Sequence, residues 1–244
     1  MRAPGVTAVL LISCRDQKGL VASVSDFLYR HEGNIVHADQ HTDHEEGVFL
    51  QRVEFELQGF ALPRERIAEA FAPLAERFAM RWSLRFSDET PRIALLVSKL
   101  PHCLYDLLAR WRLGEFGAEI PMVISNHEDA RPIAEEFGVA YHALPVTAET
   151  KKRQESAMLE LLERERIDLV VMARYMQILS GAVIARYPER VINIHHSFLP
   201  AFAGGRPYHQ AYERGVKIIG ATAHYATAEL DQGPIIEQDV ARVS

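Results

Sequence analysis

From residue 6 onward the spacing of apolar positions predicts a strand, a helix, two strands, a second helix and a closing strand. The run VTAVLLIS (6–13) is apolar and β-branched, as strands are. Leu20, Val24, Phe27 and Leu28 then recur at helical spacing, with Asp16 placed to cap that helix and Gly33 and Asn34 to stop it. In VEFEL, Val53, Phe55 and Leu57 alternate with Glu54 and Glu56, the pattern of a half-buried strand. Ile67, Phe71, Leu74 and Phe78 form a second helical stripe, which Pro73 is expected to kink or restart. Met80, Trp82, Leu84 and Phe86 alternate again. The order βαββαβ is that of a ferredoxin-like unit, assigned to residues 1–86.

SDETPR (87–92) is polar, contains proline and reads as a linker. Beyond it, over residues 93–244, the rhythm changes to alternating strands and helices. RIALLVS precedes a helix from Cys103 to Leu113, and IPMVIS one near Arg131–Phe137. YHALPV precedes a long helix through Met158, Leu159 and Leu162, and DLVVMA and VINIH follow. Leu169–Met172 is apolar without alternation, as in a strand covered on both faces. The fold class is therefore α/β: a ferredoxin-like domain followed by a doubly wound, mostly parallel sheet. The last strand-like run, PIIEQDVARV, ends at the C-terminus. Read as a parallel strand it calls for a covering helix, so the domain is expected to be incomplete after Ser244.

Composition narrows the class. Hydrophobic residues make up 48% and charged residues 25%, a globular balance. A net charge of −6 argues against a broad nucleic-acid surface. No apolar run approaches membrane-spanning length, and the N-terminus is unlike a signal peptide. Two distant cysteines, Cys14 and Cys103, suggest neither a disulfide framework nor a zinc cluster, and a reducing cytoplasm is the simplest setting.

Chemistry concentrates in a few places. In VINIHHS, strand alternation puts Asn193 and His195 on one side and His196 on the other. An amide beside an imidazole can hold an oxyanion and exchange a proton, and the same groups can equally cap a strand end. Asp231 lies in a natural turn, DQGP, between two strands, where it can reach the end of VINIH or serve the turn alone. His37, Asp39, His41 and Asp43 share a strand face but fit no known metal-ligand spacing, so a solvated strand is expected and no metal site. Cys103, beside His102 at a helix start, has the position of an activated thiol, although adjacent residues rarely face each other. SKLPHC has no glycine where doubly wound folds cradle phosphates, which removes support for a dinucleotide or tightly held phosphate.

Asn193-Ile194-His195 followed by SFLP, with HYATAELDQGPII downstream, resembles the folate-dependent formyltransferase fold family, which shares an Asn-x-His strand end and an Asp in a Leu-Asp-x-Gly-Pro loop. ARYMQILS (173–180) is similar to that family's folate-binding stretch, and DQKGL (16–20) to the turn of ACT domains. An ACT unit ahead of such a domain is the arrangement of the formyltetrahydrofolate deformylase family. The resemblance implies hydrolysis of 10-formyltetrahydrofolate to formate and tetrahydrofolate, supplying formate for purine synthesis and balancing one-carbon pools. It implies catalysis by Asn193, His195 and Asp231, and folate contacts at Tyr175, Met176, Gln177, Ile178, Leu179, Thr227, Ala228 and Glu229. It further implies a regulatory ligand at Asp16, Gly19 and Leu20, such as glycine or methionine, association into a homo-oligomer, and no cofactor, folate being the substrate. Glycinamide ribonucleotide formyltransferases carry a glycine-rich phosphate loop where this chain has SKLPHC, which leaves water as the acceptor. Transfer to an amine and non-catalytic binding of folate or amino acids are the alternatives.

Overall fold

The computed structural model describes residues 5–243; residues 1–4 of the expected N-terminal unit and Ser244 lie outside that range. The chain divides between Glu89 and Thr90 into two compact units.

The first unit runs β1 (Thr7–Arg15), α1 (Leu20–Arg30), β2 (Ile35–Asp43), β3 (Val48–Glu56), α2 (Arg64–Arg77) and β4 (Arg81–Phe86). Its antiparallel sheet has the order β2-β3-β1-β4. Alternation buries Leu10, Ile12, Val53 and Phe55 on one face, where Val24, Leu28, Ile67 and Phe71 of the two helices complete the core.

Three local expectations are corrected. Asp16 does not cap α1: the N-cap is Gly19, at φ 91°, and no side chain caps the helix. That left-handed conformation suits glycine and turns the chain into the helix, so that Ser23 N–H reaches Gly19 O at 2.9 Å. The helix stops at Arg30, before Gly33, because Glu32 takes the left-handed conformation at φ 59° and Gly33 N–H closes onto Leu28 O at 2.8 Å. Pro73 does not restart α2, which runs unbroken from Arg64 to Arg77. Pro73 and Glu69, whose carbonyl loses its partner, both lie on the exposed side, where water serves the orphan oxygen.

The second unit comprises β5 (Arg92–Val97), α3 (His102–Arg112), β6 (Glu119–Ser125), α4 (Arg131–Glu136), β7 (Ala140–Ala143), α5 (Lys151–Arg164), β8 (Leu169–Met172), α6 (Gly181–Arg186), β9 (Val191–His195), α7 (Pro207–Glu213), β10 (Ile218–Tyr225) and β11 (Ile235–Arg242). The sheet order is β11-β10-β9-β8-β5-β6-β7. Strands β5 to β9 are parallel, and separate clusters pack the two faces, one around Met158, Leu162 and Tyr175, the other around Leu104, Leu108 and Ile133. The chain steps outward from β5 through β6 to β7, then returns to β8 on the opposite side of β5. Ligands of doubly wound sheets collect beyond strand ends at such a reversal.

The expectation of a parallel last strand is overturned. β10 runs antiparallel to β9 and β11 antiparallel to β10, so β11 is the edge of a hairpin that requires no crossover helix.

Candidate active site

Asn193 and His195 occupy alternate positions at the end of β9, and the antiparallel register sets Asn193 opposite His224 of β10. Asn193 Nδ2 lies 3.1 Å from His224 Nε2, and His224 Nδ1 lies 3.0 Å from Tyr225 O. The carbonyl can only accept, so Nδ1 carries the proton and Nε2 accepts from the amide. Asn193 therefore has its orientation fixed through one N–H while the second remains available.

The loop after β10 folds back to bring Asp231 Oδ1 within 3.4 Å of His195 Nδ1 and 3.8 Å of His224 Nε2. The Asp231 side chain is only 4% exposed, and its Oδ2 accepts Gly204 N–H at 2.9 Å. Asp231 takes a left-handed backbone at φ 57°, which Asp tolerates better than most residues. Gly233 fixes the rest of the loop: a Cβ there would stand 1.7 Å from Tyr225 O, a distance no side chain survives. On its other side His195 Nε2 lies 3.3 Å from Phe202 O. Both ring nitrogens of His195 thus face oxygen acceptors, and only a doubly protonated ring donates to both.

The segment carrying Phe202 is held by two buried hydroxyls, one of them Ser197 Oγ, 2.9 Å from Ala201 O and 3.1 Å from Phe202 O. Thr222 Oγ1 donates to Ser197 O at 2.8 Å and accepts from Leu199 N–H at 3.1 Å and from Gln238 Nε2 at 3.0 Å. A second set of buried polar groups shapes the opposite wall. Ser98 Oγ, at the end of β5, accepts Met176 N–H at 3.0 Å; Gln154 Nε2 reaches Tyr175 Oη at 3.1 Å; Glu155 Oε1 accepts Ser180 N–H at 2.9 Å. Burial pushes the Tyr175 hydroxyl above its ordinary pKa, so it stays protonated.

Between these walls lies a cavity of about 220 Å³. All three expected catalytic residues line it, as do the eight expected folate contacts, Tyr175 to Leu179 and Thr227 to Glu229. His196 lines it too, contrary to the expectation that it points away. β9 ends at His195, so strand alternation no longer governs the next residue. The His196 ring stands 5.5 Å from that of His195 and 5.4 Å from Tyr208. Burial, assisted by the nearby Arg174 charge, pushes its pKa down to about 4.

Sequence reasoning missed Arg174, His224, Thr222 and the Gln154–Glu155 pair. Thr222 and His224 left a signal, two polar residues at period two within the apolar run IIGATAHY. Gln154 and Glu155 left none, being hidden in a polar helical stretch. The residues expected around the regulatory ligand lie in the first unit: Asp16 and Gly19 are exposed, while Leu20 is buried in the core. Asp16 N–H donates to Gly47 O at 2.9 Å. His37 and Asp39 form a 2.6 Å pair on exposed β2, and among the described residues no cluster of three His, Cys, Asp or Glu could hold a metal. Burial raises the Cys103 thiol, opposite to the shift an activated nucleophile needs.

Comparison with known proteins defines the class first. Residues 91–244 match the family model for formyl transferases, and residues 8–76 match that for ACT domains. The formyltetrahydrofolate deformylase of Synechocystis sp. is 58% identical over 239 residues, covering 98% of this chain and 84% of that protein. That of Bacillus subtilis is 49% identical over 235 residues, covering 96% and 78%. The crystal structure of a formyltetrahydrofolate deformylase from Pseudomonas syringae pv. tomato superimposes with a TM-score of 0.96 at 46% identity, covering 100% of this chain and 82% of that one. The chain belongs to the formyltetrahydrofolate deformylase family.

Proposed function

We infer that the protein hydrolyses 10-formyltetrahydrofolate to formate and tetrahydrofolate. The observation that carries this reading is the convergence of Asn193, His195 and Asp231 in one cavity whose other walls are the 175–179 and 227–229 segments. Water attacks the formyl carbon, and the resulting oxyanion is met by the free N–H of Asn193 and by protonated His195, whose Nε2–H gives up its long contact with Phe202 O to reach the substrate. Asp231 orients His195 and takes a proton from water. His195 delivers a proton to the departing nitrogen as the carbon–nitrogen bond breaks. The pterin lies against backbone at residues 175–179 and the 227–229 loop. No step needs a metal or redox group, and the folate is bound as substrate.

The N-terminal unit is proposed to bind an amino acid at the turn bearing Asp16 and Gly19, with glycine and methionine the first to test, Leu20 seating that turn in the core. It is also proposed to pair with its counterpart in a homo-oligomer. Leu11 and Leu50, exposed on the open sheet face by 45% and 43%, support such pairing. The setting proposed is the cytoplasm, where the formate released feeds purine synthesis. Among the described residues no helix is long and apolar enough to cross a membrane.

Purified protein incubated with 10-formyltetrahydrofolate should release stoichiometric formate. Transfer of the formyl group to an added amine would make it a transferase, and binding without turnover would overturn the enzyme reading.

A further inference from the structure

Arg174 follows β8 at the reversal in strand order and lines the cavity. It bears two costs at once. Its backbone is left-handed, at φ 64°, without the freedom of glycine. Its Nε is buried with no hydrogen-bond partner, an expensive state for a charged donor. Among the described residues no side-chain hydrogen bond or ion pair repays these costs. Its charge acts on Cys103, whose thiol burial keeps protonated, and on His196, which burial keeps neutral. Of the two carboxylates on the cavity wall, Asp231 is engaged by His195 and Gly204, and Glu229 is exposed. A strained, charged residue on a cavity wall, with no side-chain partner of its own, marks a place where a ligand completes the structure.

We propose that Arg174 is a formate subsite, holding the carboxylate product on the His196 side of the reacting centre. The inference rests on the hydrolytic reading. In that reaction a water oxygen–carbon bond forms and the carbon–nitrogen bond breaks. One water proton ends on the nitrogen, the other is released, and the one-carbon group leaves as an anion. The formyl substrate offers the guanidinium a single carbonyl oxygen, whereas formate offers two in the planar spacing of an arginine fork. The position favours formate over the carboxylates of folate itself, because the Arg174 charge acts on His196, whose ring stands 5.5 Å from that of the catalytic His195.

The test uses Arg174→Gly, which removes the guanidinium while accepting the positive φ, together with Arg174→Lys, which keeps a point charge and loses the fork. Sodium formate is titrated against turnover and, without folate, against thermal melting, with sodium chloride as the ionic control. Formate should inhibit the unaltered protein, with the half-inhibiting concentration rising about tenfold or more in Arg174→Gly and less in Arg174→Lys. It should also raise the melting temperature of the unaltered protein and not that of Arg174→Gly. Equal inhibition and equal melting shifts in all three proteins would overturn the proposal. So would unchanged formate inhibition combined with a raised KM for folate bearing its glutamate tail but not for a tail-less analogue, which would assign the arginine to the folate carboxylates. Absence of turnover in the unaltered protein would defeat the hydrolytic reading separately, and the melting comparison would still decide whether Arg174 binds formate.

Discussion

Replacing Asp231 by Asn removes one charge and little else. The side chains are nearly equal in size, Asn also adopts a left-handed backbone readily, and its amide oxygen can still accept Gly204 N–H. What disappears is the carboxylate 3.4 Å from His195 Nδ1, in a pair whose side chains are 5% and 4% exposed. At an effective dielectric of about 20, that separation corresponds to an attraction of about 5 kcal/mol for a protonated ring. Part of it opposes desolvation of the pair, so the net loss is smaller. Loss of a positioned base costs about a hundred- to ten-thousand-fold, and the two arguments meet at a fall in kcat of about a thousandfold. Formate release is measured in steady state, folate affinity by equilibrium titration and folding by thermal melting. Folate affinity and melting should stay close to those of the unaltered protein. Turnover within tenfold of the unaltered rate would refute the role assigned to Asp231, and loss of folding would show that the carboxylate serves the turn.

His195→Ala should cost about a thousandfold in formate release and His196→Ala about tenfold, since one ring meets the reacting atoms and the other lines the wall; equal losses would mean that facing is misassigned. Thr222→Val keeps shape while leaving Ser197 O, Leu199 N–H and Gln238 Nε2 short of a partner, and should lower stability in denaturant melts by about 1–3 kcal/mol. Gly233→Ala should displace the loop and depress activity, because its Cβ would stand 1.7 Å from Tyr225 O; unaltered kinetics would refute that. His196 is held neutral in the folded chain, so the unfolded state binds the extra proton as pH falls from about 6.5 toward 4, and stability is lost across that window. His196→Gln should flatten the decline in thermal melts taken over the same range.

Legibility followed the range of the forces involved. Alternation and helical spacing located the elements because burial acts residue by residue, as in Val53, Phe55 and Leu57. The ends of α1 were misread because a positive φ at Glu32 carries no strong sequence signal, and the side chain of Asp16 had no obligation to turn inward. The direction of β11 was misread because strand polarity depends on pairing across the sheet. At the site, Asn193, His195 and Asp231 were legible as chemistry in a recurrent spacing. Arg174 and His196 were not: one depends on a strained turn, the other on a strand ending one residue earlier.

All the cavity's lining residues come from positions 172–231, one contiguous stretch, and Asn193 and His224 at its centre sit on adjacent antiparallel strands, 31 residues apart. Such contacts close a shorter loop, and so cost less chain entropy, than the pairing of β5 with β8. The sheet beneath them depends on a longer closure, the pairing of Ile93 with Leu169 across the whole β6–α5 excursion. Contacts that close long loops are slow to form, and low sequence separation favours speed. The order of assembly that follows has β9, β10 and β11 meeting early, with their polar groups already opposed, and docking onto β5 and β8 late. Chain collapse before that docking leaves the cavity wall at residues 175–179 unbuilt while Asn193 and His224 already face each other.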